Sequence, residues 1–284
     1  MSIVVTGATG RLGQLVIQEL LKRTSANNIV AIVRNADKAA QLAALGIEVR
    51  LANYDEIDSL NTALVGAEKL LLISSSEVGK RAVQHFNVIE AARQAGVKHF
   101  FYTSLLHADR SPMALAEEHW LTEQALFKSG LTYTILRNGW YTENYTSGLK
   151  IALNQHVIIG AADDGQISSA SRQDYAEAAA IVLTTFAHEN KIYELSGDKA
   201  YTLTELACEV SRQTGQNIVY FNMTEHDYRE KLLSMGTEPA VANLLANSDA
   251  GAAAGALFDD SGCMRQLLGR ETTPLSDCVR QGLL

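Results

Sequence analysis

The sequence predicts an α/β fold: a doubly wound parallel sheet followed by a smaller α+β region. Three observations predict it. Through about residue 140, short β-rich runs alternate with stretches of helical periodicity, the pattern of βαβ units. A glycine-rich turn joins the first run to the first helical stretch, and the alternation breaks after about residue 150.

Six strands are read in the first part: Ile3–Thr6, Ile29–Val33, Ile47–Leu51, Leu70–Ser74, Phe100–Thr103 and Tyr133–Leu136. Most are continuous apolar runs, as expected of a sheet covered on both faces. Between them Leu12, Leu15, Val16 and Leu20 recur at helical spacing, as do Val88, Ala91, Ala92 and Ala95, with Gly96 at the C-terminal cap position. Beyond residue 150, a helix is expected from about Arg172 to Phe186 and a strand at Ile192–Leu195. Thr202 and Glu205 have capping-box spacing ahead of Leu206, Ala207 and Val210, and a further strand is expected near Ile218–Phe221. The Ala/Asn-rich stretch 240–256 reads either as a surface helix or as a mobile flap. The expected division is 1–150 for a nucleotide-binding domain and 151–284 for a smaller region that walls a substrate cleft.

Composition narrows the function. The chain has 284 residues, 47% hydrophobic and 20% charged, which is ordinary for a soluble globular protein. No apolar run reaches the roughly 20 residues needed to span a bilayer. No basic segment or cleavage site is visible at the N-terminus, so a cytoplasmic protein without membrane association is expected. Residues 1–150 carry 15 Lys/Arg against 14 Asp/Glu, and residues 151–284 carry 9 against 18. Neither half offers the basic face that nucleic acid requires. Cys208, Cys263 and Cys278 are odd in number and widely spaced, giving neither a disulfide framework nor a zinc site. There is no HExxH, no paired-carboxylate spacing and no Gly-x-Ser-x-Gly, so neither a metal nor a serine-hydrolase mechanism is supported.

The strongest motif is Gly7-Ala8-Thr9-Gly10-Arg11-Leu12-Gly13, set between a strand and an amphipathic helix. The first glycine permits a tight turn with positive φ, the second lets a pyrophosphate approach the backbone, and the third lets the helix pack on the strand. The helix N-terminus then offers free N–H groups and partial positive charge to phosphate. At the end of the second strand, an NAD enzyme places an acid on the ribose 2′-hydroxyl. Here Val33-Arg34-Asn35 offers instead a guanidinium suited to a 2′-phosphate, with Lys38 a weaker candidate and a solvated surface arginine the bland alternative. NADP(H) is the expected cofactor.

These segments, with LLLISSSE at 70–77, FYTSLLHA at 101–108, HWLTE at 119–123, LTYTILRNGWYTENY at 131–145 and Thr273-Pro274-Leu275, resemble the NmrA-like branch of the atypical short-chain dehydrogenase/reductases. Within it the chain looks most like the bacterial flavin-free NAD(P)H:quinone oxidoreductases, with triphenylmethane reductases as near relatives. The resemblance implies a Rossmann-like fold and NADPH-dependent reduction of a quinone or similar planar acceptor, with no flavin and no metal. It implies that Gly7 to Leu12 hold the pyrophosphate, that Arg34 holds the 2′-phosphate, and that Ile73, Ser74 and Ser75 line the ribose side. Asn138, Gly139, Trp140, Tyr141, Thr142 and Glu143 would run beside the nicotinamide, with Trp140, Tyr141 and Asn144 near the substrate.

The Tyr-x-x-x-Lys pair used by carbonyl-reducing members of the wider superfamily is absent. Fitted to the family pattern at Thr122-Glu123, its slots fall on Leu115 and His119. A general acid contributes roughly 10²–10⁴-fold, so its loss argues against alcohols and simple carbonyls. It matters less for a quinone, whose reduced anion is delocalised. Candidate catalytic residues are therefore Tyr141, Asn144 and His119, with His107 and Ser104 as further donors; each histidine also has a purely structural reading. The aromatic run from Trp140 to Tyr145 reads equally as a stacking surface or as core. Two other functions stay in view: a non-catalytic NAD(P)-sensing regulator of the NmrA type, and a reductase of cationic dyes or other conjugated acceptors. A homo-oligomer is left open.

Overall fold

The computed structural model describes residues 2–35 and 39–284. Lys38 lies outside the described residues. The chain opens with β1 (Ile3–Val5), α1 (Arg11–Leu21), β2 (Ile29–Val33), α2 (Ala40–Ala43), β3 (Glu48–Leu51), α3 (Ile57–Ala63) and β4 (Lys69–Leu72). Next come α4 (Arg81–Gln94), β5 (His99–Leu105), α5 (Ala114–Lys128) and β6 (Tyr133–Asn138). They are followed by α6 (Glu143–Thr146), α7 (Leu149–Gln155), β7 (Val157–Gly160), α8 (Arg172–Thr184) and β8 (Lys191–Leu195). The chain ends with α9 (Leu203–Thr214), β9 (Val219–Asn222), α10 (Glu225–Ser234), α11 (Pro239–Ala253), α12 (Cys263–Leu268) and α13 (Leu275–Leu283).

The main sheet has the order β3-β2-β1-β4-β5-β6-β8, and β1 through β6 pair in parallel. Both faces are buried. Val4, Val30, Ile32, Leu70, Leu72, Phe100, Tyr102 and Ile135 point to one core with Leu60, Val88 and Leu126. The alternate residues Ile3, Val5, Ile29, Ala31, Leu71 and Phe101 are equally buried on the other face. This two-sided burial is why the strands read as unbroken apolar runs. The six expected strands are all present, as is the Rossmann-like α/β architecture.

β8 is the seventh strand of this sheet. Its burial runs from exposed at Lys191 to buried at Leu195, so it carries little apolar signal of its own. The chain forms two compact units: one of residues through Ala108, Glu117–Asn138 and Arg172–Tyr193, the other of Asp109–Ala116, Gly139–Ser171 and Glu194–Leu284. The expected single boundary at 150 differs from this division at Asp109–Ala116 and 139–150, which fall in the second unit, and at Arg172–Tyr193, α8 and the start of β8, which return to the first. There α8 packs against α1.

In the second unit β7 and β9 pair in parallel, with Val157 opposite Val219, and α9 lies against both. The Thr202 hydroxyl accepts from Glu205 N and the Glu205 carboxylate accepts from Thr202 N, completing the expected capping box. The stretch 240–256 lies largely in α11, a helix with one face exposed at Val241 and Asn243 and the other buried. Ala242, Ala246, Asp249, Gly251 and Ala252 are buried. A Cβ on Gly251 would lie 2.4 Å from Met113 Cγ, so the small residues are there to admit close packing.

Candidate nucleotide-binding site

The sheet order reverses between β1 and β4, and in open parallel sheets the ligand crevice lies outside the strand carboxyl ends at such a switch point. In the first unit, the carboxyl ends of β1, β2, β4 and β6 lead directly into Gly7, Arg34, Ile73 and Asn138.

Gly7 has φ +60° and faces the Ile73 side chain, which would lie 3.5 Å from an added Cβ. A Cβ on Gly13 would sit 2.3 Å from Gly7 O and 2.8 Å from Ala8 Cα. Only glycine fits at the seam where α1 packs on the loop, as the motif spacing implies. Gly10 is the N-cap of α1, with no side-chain cap and no acid in the first turn. The first N–H groups of the helix therefore carry no internal counter-charge and present their partial positive charge outward.

The segment after β4 is held by buried polar side chains that the sequence reading did not assign. Ser74 N donates to Thr103 Oγ1 at 2.9 Å, and Ser75 N donates to His85 Nε2 at 2.9 Å. Arg81 Nε donates to Ser75 O at 2.7 Å, and the Ser75 hydroxyl donates to Gln84 Oε1 at 2.5 Å. Arg81, Gln84 and His85 fall at i, i+3 and i+4 on α4 and are all buried. A polar stripe at helical spacing on a face that should be apolar was the available signal. Burial and the nearby Arg81 push the His85 imidazole down to about 3, so it is a neutral acceptor.

His119, one of the candidate donors, lies in the same interior. It is only 4% exposed, and its Nδ1 lies 2.7 Å from the Tyr102 hydroxyl. Burial, then Arg81 and His85, hold its pKa well below the usual histidine range. Ser104 is likewise internal, donating to Glu123 Oε1 at 2.5 Å. Arg137 closes that set with a two-point ion pair to Glu123, at 3.0 and 2.7 Å. His107 is buried with φ +54°.

Arg34 is exposed at the end of β2, and its Nη1 lies 2.5 Å from Glu77 Oε1. At the end of β6, Asn138 is 4% exposed, and its Oδ1 is buried without a hydrogen-bond partner among the described residues. A buried amide oxygen left unpaired costs about 1–3 kcal/mol.

In the second unit Gly139 N donates to Leu195 O at 2.8 Å, and Trp140 is buried at 7% exposure. Tyr141 bridges Ala170 in parallel, and Thr142 N donates to Ala170 O at 2.9 Å. The Thr142, Ser169 and Tyr201 hydroxyls form a buried chain with 2.7 Å links. Tyr141, Glu143 and Asn144 are half-buried. Backbone pairing to Ala170 thus fixes Trp140, Tyr141 and Thr142. The indole of Trp140 is core rather than open stacking surface.

The NAD(P)H-binding family profile matches residues 7–185, more than half of the chain. The chain belongs to the NAD(P)H-binding, NmrA-like family. Quinone oxidoreductase 2 of Escherichia coli (strain K12) is 55% identical over 277 residues, covering 98% of this chain and 97% of that protein. The NADPH-dependent quinone oxidoreductase of Escherichia coli, solved in complex with NADPH, superposes with a TM-score of 0.98 at 54% identity, covering 99% of this chain and 100% of that one. The Citrobacter sp. triphenylmethane reductase structure gives a TM-score of 0.96 at 39% identity, covering 100% of this chain and 99% of the other. Family membership and the α/β fold are as the sequence implied. No helix among the described residues is long and apolar enough to cross a membrane, and no cluster of three or more His, Cys, Asp or Glu among them is arranged for a metal.

Proposed function

We propose that this protein reduces quinones with NADPH, by direct hydride transfer and without flavin. The observation that carries the reading is the near-full-length likeness to the NADPH-complexed quinone oxidoreductase. The residues at the strand carboxyl ends fit that cofactor. The open α1 N-terminus at Gly10 suits the pyrophosphate, with Gly7 and Gly13 shaping the turn and Ala8, Thr9, Arg11 and Leu12 completing the loop. Arg34 suits the 2′-phosphate through charge-assisted hydrogen bonds. Ile73, Ser74 and Ser75 suit the ribose side, and the orphaned Asn138 Oδ1 suits a donor beside the nicotinamide.

When bound, NADPH would supply a hydride from C4 of its nicotinamide. The chain's own part is chiefly positioning. α4 and Thr103 of β5 lock the 74–77 segment, and Ala170 and Ser169 lock 140–142. Tyr141 and Asn144 are the side chains assigned to the acceptor. His119, buried against Tyr102 with its pKa held low by that burial, is not assigned as an acid for the acceptor. That suits an acceptor whose reduced anion is delocalised and takes its proton from solvent, and it disfavours aliphatic carbonyls, which develop a localised alkoxide. NADPH oxidation by purified protein with a panel of benzoquinones, aldehydes and ketones tests this. Turnover with quinones alone is expected, and turnover with aliphatic carbonyls contradicts it.

A further inference from the structure

Glu77 sits on the 74–80 segment after β4, and its carboxylate occupies the guanidinium of Arg34 at 2.5 Å. It is not a loose surface charge. Glu77 N donates to Ser75 Oγ at 3.2 Å, and Glu77 Oε2 accepts from Gln84 Nε2 at 3.2 Å. Gln84 is itself 1% exposed and is anchored by Asp55, whose two oxygens lie 3.1 and 3.3 Å from Gln84 Nε2. Among the described residues, Lys80 Nζ also lies near Glu77, at 3.9 Å from Oε2. A chain of contacts from Ser75 through Gln84 to Glu77 therefore holds an anion where Arg34 would otherwise meet a phosphate.

We infer that Glu77 is a specificity-determining residue, a built-in anion that competes with the cofactor's 2′-phosphate for Arg34. The inference rests on the proposed reading of Arg34 as the 2′-phosphate clamp. Before Arg34 can take the phosphate it must leave Glu77, so the apparent affinity for NADPH and NADP⁺ falls by the fraction of Arg34 held in the pair. NADH lacks the 2′-phosphate and escapes this competition. The contact thus lowers the preference for NADPH over NADH and loosens the oxidised product as well as the substrate. Exposed ion pairs are weak and salt-screened, so the effect is modest, roughly two- to fivefold at low ionic strength.

The test is calorimetric titration of NADPH and NADH into the full chain, comparing wild type, Glu77→Gln, Arg34→Ala and the double variant. Glu77→Gln keeps an amide oxygen for Gln84 while removing the charge. It is expected to tighten NADPH roughly two- to fivefold at low salt, to leave NADH unchanged, and to lose this advantage at high salt. With Arg34 absent, the same change should have little effect, since nothing is left to compete for. If Arg34→Ala weakens NADPH while Glu77→Gln leaves it unchanged or weaker, the competition is overturned and the clamp stands. If Glu77→Gln tightens NADPH equally without Arg34, direct repulsion has replaced competition and the proposal is overturned. If Arg34→Ala leaves NADPH unchanged, the clamp reading and the competition fall together.

Discussion

Asp249→Asn should stabilise the protein at neutral pH and do almost nothing near pH 4. Asp249 is buried on α11, where Oδ2 accepts from Ala161 N at 2.9 Å and Oδ1 accepts from the Tyr145 hydroxyl of α6 at 3.4 Å. Gly160, at the end of β7, has no side chain because a Cβ there would lie 2.6 Å from Asp249 Oδ2. The other titratable groups facing the carboxylate are Tyr220 of β9 and Tyr228 of α10, both neutral, because burial raises their hydroxyl pKa values. No cation among these neighbours offsets the charge. Burial pushes Asp249 from 3.8 up to about 6, against the two hydrogen bonds that lower it. A raised folded-state pKa means that stability is fully present below the unfolded value and is lost as pH rises through about 6. Above that, the ionised carboxylate costs up to about 3 kcal/mol, at about 1.36 kcal/mol per unit. Asparagine keeps the acceptor for Ala161 N and can donate to the Tyr145 oxygen, so it removes the charge at the cost of one weak, 3.4 Å hydrogen bond from that hydroxyl. Thermal unfolding followed at pH 4 and pH 7.5 measures the difference. A Tm gain on the order of 5 °C at pH 7.5, vanishing at pH 4, is expected. Equal shifts at both pH values, or destabilisation at pH 7.5, would refute the reasoning.

Three further outcomes follow from the same geometry. Arg34→Ala should weaken NADPH by roughly 10- to 150-fold, the value of charge-assisted bonds to a phosphate, while NADH binding stays nearly constant in parallel titrations. Gly13→Ala drives a Cβ into the Gly7 carbonyl and Ala8 backbone, so it should cost about 1–3 kcal/mol in a denaturant melt and weaken both cofactors alike. His119→Gln should lower quinone turnover far less than the roughly 10²–10⁴-fold expected of a general acid, read from kcat at constant NADPH.

Much of this architecture was legible because local and global requirements coincide. Two-sided burial wrote the strands as apolar runs, and the Gly7–Gly13 spacing wrote a turn and a close helix contact that the backbone requires. The parts that were not legible depend on tertiary choices. β8 is an exposed edge segment, and its place in the sheet follows from how α8 packs on α1 rather than from its own residues. His119 sits on a helix of mixed character, and only the neighbouring β5 residue Tyr102 decides that its imidazole is internal. The polar stripe Arg81, Gln84 and His85 was visible as spacing, yet its meaning needed the Ser75 backbone that it supports. Asp249 was hidden in an alanine-rich stretch with no motif, because its partners come from α6 and the end of β7, 104 and 88 residues away in sequence.

The most direct test of the central claim is a turnover experiment with purified, spectroscopically examined protein. NADPH deuterated at the transferred C4 position is mixed with a benzoquinone, and loss of NADPH is followed together with hydroquinone formation. The account predicts no flavin absorbance, one hydroquinone formed for each NADPH consumed, and a primary isotope effect on a chemical step that passes through no coloured intermediate. Tight NADPH binding with no turnover across a broad quinone panel would contradict it, and the protein would then be a dinucleotide sensor on the same fold.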